Sequence, residues 1–179
     1  MSRVDPQTPV IIGAGQINDR EYGCEPLDLM VRCVEAALDD TGAATAVRTS
    51  IGDVRVVWGI WPYQDPGRLV AERIGVPEAR TTMTTSGGNQ LYDLVIDTAS
   101  RIQSGEIDTA VVCGAESLRT RRSDRARGTT TEYLPEREGA HPDELLGKDR
   151  EMFAKVENEI GVNVVARFYA MAETALRHR

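Results

Sequence analysis

TTMTTSGGNQLYDLVIDTASRIQSGEIDTAVVCGAES, Thr81 to Ser117, is the stretch on which the fold reading turns. Its β-branched start predicts a strand and Gly87-Gly88 an elbow, after which Leu91, Leu94, Val95, Ala99 and Ile102 recur at helical spacing. One face of that helix is apolar and must be covered, so the spacing predicts a helix buried at the domain centre. A second apolar strand, Ala110 to Cys113, then closes on a small-residue turn. A strand that bends sharply into a helix leaves backbone N–H groups and the positive end of the helix dipole directed outward. Such an elbow suits an anion or a developing oxyanion.

Upstream, Val10-Ile11-Ile12 before Gly13-Ala14-Gly15 reads as a short buried strand running into a tight turn. A dinucleotide-binding fingerprint fails there, because Asn18 stands where the third glycine belongs and the next helix starts only near Pro26. Pro26 opens a helix whose buried stripe is Leu27, Met30, Val31, Val34, Ala37 and Leu38, and Gly42 ends it. VRVVWGIW, Val54 to Trp61, has the continuous apolar character of a parallel strand buried on both faces, with Trp58 and Trp61 as core or interface residues. Arg68 to Ile74 predicts a short helix stopped by Gly75 and Pro77. The alternation of strand and helix through Ser117 predicts an α/β fold, a mainly parallel sheet with helices on its faces.

The chain has 179 residues and 41% hydrophobic content, enough for a real core. Lys+Arg 21 against Asp+Glu 28 gives a net charge of −7, which argues against a general nucleic-acid binder. No apolar run is long enough to span a membrane and MSRVDPQTP lacks an apolar signal core, so a cytoplasmic protein is expected. Cys24, Cys33 and Cys113 are odd in number and lack a CxxC, and read as reduced thiols. With only His141 and His178, a histidine metal cluster is not expected, and both read as surface or helix-end residues.

Beyond Ser117 the composition changes. LRTRRSDRARG carries Arg119, Arg121, Arg122, Arg125 and Arg127 and reads as a basic loop, either solvated or attractive to a phosphate-rich ligand. Residues 129–150 are polar and turn-rich, and read as surface. Helix returns after Glu151, with Val165, Phe168, Ala172, Ala175 and Leu176 as its stripe. The composition divides the chain into an α/β core, 1–117, and a loop domain, 118–179.

The elbow, the helix ending SGEID at Ser104 to Asp108, and the turn CGAES at Cys113 to Ser117 together resemble the nucleophile region of the thiolase superfamily. VIIGAGQ is similar to that fold's first strand. The resemblance implies a thiolase-like N-terminal half with a partly helical loop domain, and acetyl-CoA acetyltransferase chemistry on a CoA thioester without further cofactor or metal. Counting back from Glu116 and Gly105, the family's nucleophilic cysteine falls on Gly88, and no cysteine lies between Thr81 and Ile102. Ser86 is the nearest alternative hydroxyl, without an identifiable base. SGGNQ resembles the thiolase-like and lipid-transfer-related branches, in which that cysteine can be lost.

The resemblance therefore implies either an acyltransferase completed by a second half or a noncatalytic CoA- or lipid-binding or assembly module. Gly87, Gly88 and Asn89 would hold the thioester, with Arg119, Arg121 and Arg122 toward the nucleotide. It also implies a homodimer or a partner supplying the second half, with Thr81 to Thr85 as an edge meeting its mate.

Overall fold

A computed structural model describes residues 5, 7–20, 23–149, 151 and 153–178. The chain divides into two compact units, Met1–Lys148 and Asp149–Arg179, so Leu118 to Lys148 lie within the first.

In the first unit, α1 (Pro26–Asp40), α2 (Ala44–Ser50), β1 (Ile51–Val56), α3 (Pro66–Arg73), β2 (Arg80–Thr84), α4 (Gln90–Gln103), β3 (Thr109–Cys113), α5 (Leu118–Arg127) and β4 (Glu144–Leu146) follow one another. The four strands form a parallel sheet in the order β3-β1-β2-β4. The chain steps from β1 to β2 through α3, then crosses back over β1 to β3 through α4. Right-handed crossovers in opposite directions put those two helices on opposite faces.

The face carrying α1 and α3 is apolar. Leu27, Met30, Val34 and Leu38 of α1 pack with Val54 and Val56 of β1 and Val70 and Ala71 of α3. Each such aliphatic side chain contributes about 1.5–3 kcal/mol by its burial. α1 starts where expected because Pro26 needs no N–H partner and Glu25 Oε2 accepts from Leu27 N and Asp28 N. The opposite face of β1 is charged: Asp53 and Arg55 are fully buried beneath α4.

Several expectations are corrected. Val10, Ile11 and Ile12 form no strand and are 70%, 90% and 50% exposed. Both edges of β1 are taken, by β2 and β3, and the segment that follows lies instead along α1, where Ala14 N donates to Asp40 Oδ2. β2 is interior, between β1 and β4, so Thr81 to Thr85 is no free edge. α4 is not covered all round its apolar stripe: Leu94 is buried, whereas Leu91 and Val95 are about half exposed, and their neighbours Tyr92 and Ile96 are more exposed still. β1 ends at Val56, leaving Trp58 exposed and Trp61 buried against Tyr63. The basic segment is the helix α5, not a loop.

The second unit holds α6 (Lys155–Glu159) and α7 (Val165–Arg177). The helical reading of its stripe holds. Within this unit no described residue is buried, and Val165, Phe168 and Leu176 are exposed.

Candidate functional site at the carboxyl ends of the strands

Because all four strands are parallel, their carboxyl ends share one edge of the sheet, where open α/β folds place ligands. Side-chain and backbone bonds knit that edge together. Trp58 N donates to Thr84 Oγ1 at 2.9 Å, Val57 N to Cys113 O at 3.0 Å, and Thr85 N to Leu146 O at 2.9 Å. Glu116 Oε1 accepts from Ile60 N at 2.5 Å, and Trp61 Nε1 donates to Ala115 O at 3.1 Å. The CGAES turn thus fastens the loop after β1, and Glu116 is an exposed brace between two strand ends.

The elbow follows β2. Ser86, Gly87, Gly88 and Asn89 are all exposed, between buried Thr85 and buried Gln90. Asn89 is the N-cap of α4 but makes no side-chain capping bond, since its Nδ2 donates to Asp93 Oδ2 at 2.7 Å. No side chain caps the first turn, but Gln90 N donates to Gly87 O at 3.2 Å, and Tyr92 N and Asp93 N donate to Asn89 O at 2.9 and 3.2 Å. A Cβ added at Gly88 would meet nothing within 4 Å, so this position of the elbow is open to a side chain. Ser86 Oγ has no bonded base among the described residues. Cys113, the nearest thiol in sequence, is no substitute, because burial pushes its pKa up to about 12 and keeps it protonated.

Three buried polar atoms at this edge have no hydrogen-bond partner among the described residues: Thr85 Oγ1, Gln90 Oε1 and Ser117 Oγ. They stand at the ends of β2, α4 and the β3 turn. The sequence reading passed over all three. A polar residue at the first position of an otherwise apolar-striped helix was the available signal for Gln90.

The arginines do not converge on the elbow as a set. Arg119 Nη1 donates to Arg20 O, and Arg121 Nη1 donates to Ile60 O at 2.6 Å, so both are engaged on backbone carbonyls. Arg122 is exposed. Two cavities of about 340 Å³ lie elsewhere, beside Cys24 and Glu25, one lined also by Thr120, Asp124 and Thr129 to Glu132. The elbow is consequently a surface feature rather than an enclosed pocket.

Gly13 and Gly15 have a packing role. A Cβ at Gly13 would collide with Ala37 O, and one at Gly15 with Cys33 O, so these glycines let the chain lie directly on α1. The space over them is filled by helix, and among the described residues no helix follows them before Pro26. A nucleotide cradle has neither room nor a helix N-terminus there.

No protein-family model matches the chain. A crystal structure of a monomeric SCP2-thiolase-like protein type 1 from Mycobacterium smegmatis is similar over 64% of this chain, with 33% identity and a TM-score of 0.57. The chain is thiolase-like. This thiolase-like chain spans a quarter (25%) of the length of that structure. A curated relative, 4-hydroxy-tetrahydrodipicolinate reductase from Methanocorpusculum labreanum, is 31% identical over 140 residues, 77% of this chain and 53% of the relative. The two relatives carry different activities in their names. The filled glycine turn at Gly13 and Gly15 sides with the first, whereas a parallel sheet flanked by helices is common to dinucleotide-binding folds as well.

Proposed function

We propose that this thiolase-like chain is a non-acylating module that binds a CoA thioester, with the elbow holding the thioester oxygen. One observation carries the reading: the uncapped N-terminus of α4 opens to solvent at Gly88, where neither a thiol nor an activated hydroxyl stands. The positive end of the α4 dipole favours an oxygen that carries partial negative charge. Without a nucleophile the same geometry polarises the thioester but does not take its acyl group. Arg122 and its exposed neighbour Arg125 on α5 offer charge to the CoA phosphates.

A second reading has support of its own. The exposed apolar face of α4, Leu91, Tyr92, Val95 and Ile96, is what a helix shows when its cover is missing. That favours an acetyl-CoA acetyltransferase assembled with a second half or a second copy, which would have to supply the nucleophile as well as the base.

Calorimetric titration with CoA and with acetyl-CoA, at two salt concentrations, tests both. Salt-sensitive binding with no acyl-enzyme in the mass spectrum supports the module. An acylated residue on this chain overturns it. Absence of binding by folded chain removes the ligand-binding reading altogether.

A further inference from the structure

We infer that the outer edge of β3 pairs with the same edge of a second copy of this chain, joining two four-stranded sheets into one continuous sheet. This pairing gives the exposed α4 face of the second reading above one named occupant, and it needs no bound thioester.

The direction of the β3 backbone groups follows from its hydrogen bonding. Val57 N donates to Cys113 O, so Cys113 turns its N–H and C=O toward β1. In a strand these groups alternate in direction from residue to residue, so Val111 also turns toward β1 while Ala110 and Val112 turn outward. β3 ends the sheet, and no protein group among the described residues bonds the outward N–H and C=O of Ala110 and Val112.

The two ends of the sheet are built differently. β4 is three residues long and carries Glu144, which Arg80 and Arg101 hold. β3 is five residues long, TAVVC, with neither charge nor proline. A long uncharged edge is a template for another strand, and native chains blunt such edges unless they are used.

Self-pairing satisfies this edge. In an antiparallel pair about a twofold axis at Val111, Ala110 stands opposite Val112 of the second copy, and each such pair exchanges both of its N–H···O bonds. Every outward group of Ala110 and Val112 in both copies is then bonded. The same register sets Asp108 opposite Gly114 of the second copy, so like charges do not meet.

Apolar surface surrounds the edge on the α4 side. The ladder sets Val112 beside Arg55, hence on the face that carries α4, and Val112 is 37% exposed. Arg101 of α4 bonds Asp97 on its own helix and reaches Glu144 of β4, so that flank of the helix points along the sheet toward β4. Leu91, Val95 and Ile102 lie on the opposite flank and turn toward the β3 side. A twofold axis normal to the sheet keeps both α4 helices on one face, with these apolar flanks facing each other across the paired Val112 side chains.

Sedimentation velocity over a range of chain concentrations, together with amide exchange by NMR, tests the pairing without CoA, so neither outcome touches the thioester reading. Val112→Pro removes an outward N–H but leaves the bonds of Val111 and Cys113 to β1, because proline is tolerated where an edge-strand N–H faces away from the sheet. The parent is expected to dimerise as concentration rises, and Val112→Pro to raise the dissociation constant by about tenfold or more through the lost ladder bonds. A parent that stays monomeric at every concentration overturns the inference, agrees with the monomeric relative, and leaves the edge to a different polypeptide. Dimers that Val112→Pro does not weaken place the interface elsewhere and overturn it as well. Should Val112→Pro unfold by circular dichroism, amide exchange on the parent decides: protection of Ala110 and Val112 that grows with concentration supports the pairing, and its absence rules the pairing out.

Discussion

Arg55, in the middle of β1, donates from Nη2 to Asp97 on α4, and its Nη1 donates to Thr98 Oγ1 at 2.9 Å. This pairing replaces an apolar seam between helix and sheet. Asp97 also accepts from Arg101 Nε, Arg101 reaches Glu144 of β4, and Glu144 accepts from Arg80 of β2. One charged network therefore ties α4 to three of the four strands and fixes the angle at which the elbow leaves β2.

Arg55→Met is expected to destabilise the protein by about 3–5 kcal/mol, because it leaves Asp53, fully buried, without its ion-pair partner and Asp97 with Arg101 alone. Urea unfolding monitored by circular dichroism gives the number. A loss below 1 kcal/mol would show that the network is incidental to α4 docking.

Asp97 supplies a pH dependence of known sign. Partial burial acts to raise its pKa, but the hydrogen bond and charge of Arg55, aided by Arg101, hold it below the usual aspartate value. A carboxyl depressed in the folded state stabilises above its unfolded value near 3.8 and loses that contribution as pH falls through the folded value. Asp97→Asn should lower stability at pH 7 and flatten the curve below pH 4. Burial acts on Asp53 the other way, raising its pKa, so its stabilising contribution is present below its unfolded value and fades as pH rises through the folded one. Unfolding free energies measured from pH 3 to 7 in both proteins separate the two.

Gly88→Cys should fold as the parent does, within about 0.5 kcal/mol, because its Cβ enters open space and its backbone has no positive φ. A thiol at the α4 N-terminus is expected to alkylate at least about tenfold faster than Cys113, whose thiol is held protonated. Iodoacetamide labelling followed by peptide mass spectrometry reads both sites at once. Equal rates would place the elbow wrongly. Restored acyl transfer is not expected, since no base stands beside this position.

Gly15→Val should cost about 1–3 kcal/mol through collision with the carbonyl of Cys33. Titration of the parent with NADH and NADPH should give no heat. Binding that Gly15→Val abolishes, with stability unchanged, would instead favour the reductase named among the relatives.

Much of the first unit is legible from periodicity. α1 runs from Pro26 to Asp40 with Leu27, Met30, Val34 and Leu38 inward, because its stripe, its proline start and its glycine stop agree. The elbow is legible too, since Gly87-Gly88 separates a β-branched run from a helical one. Three things were not. β4 is three residues inside a polar, turn-rich stretch, with too little length to show a period. α5 lacks an apolar stripe, so Leu118 to Arg127 reads as a loop although it is helical. Arg55 sits in a run of valines, and nothing local tells whether its guanidinium faces water or a carboxylate 42 positions away.

The sequence by itself determined the alternation of strands and helices and the Gly87-Gly88 elbow, because each follows from short-range stereochemistry or from residue identity. Only the tertiary structure decided that Val10 to Ile12 stays outside the sheet, that β2 is interior, and that Thr85 Oγ1 and Gln90 Oε1 are buried without partners near Gly147. Strand order and the satisfaction of buried polar atoms depend on which distant segments meet, and no local pattern in the chain encodes that meeting.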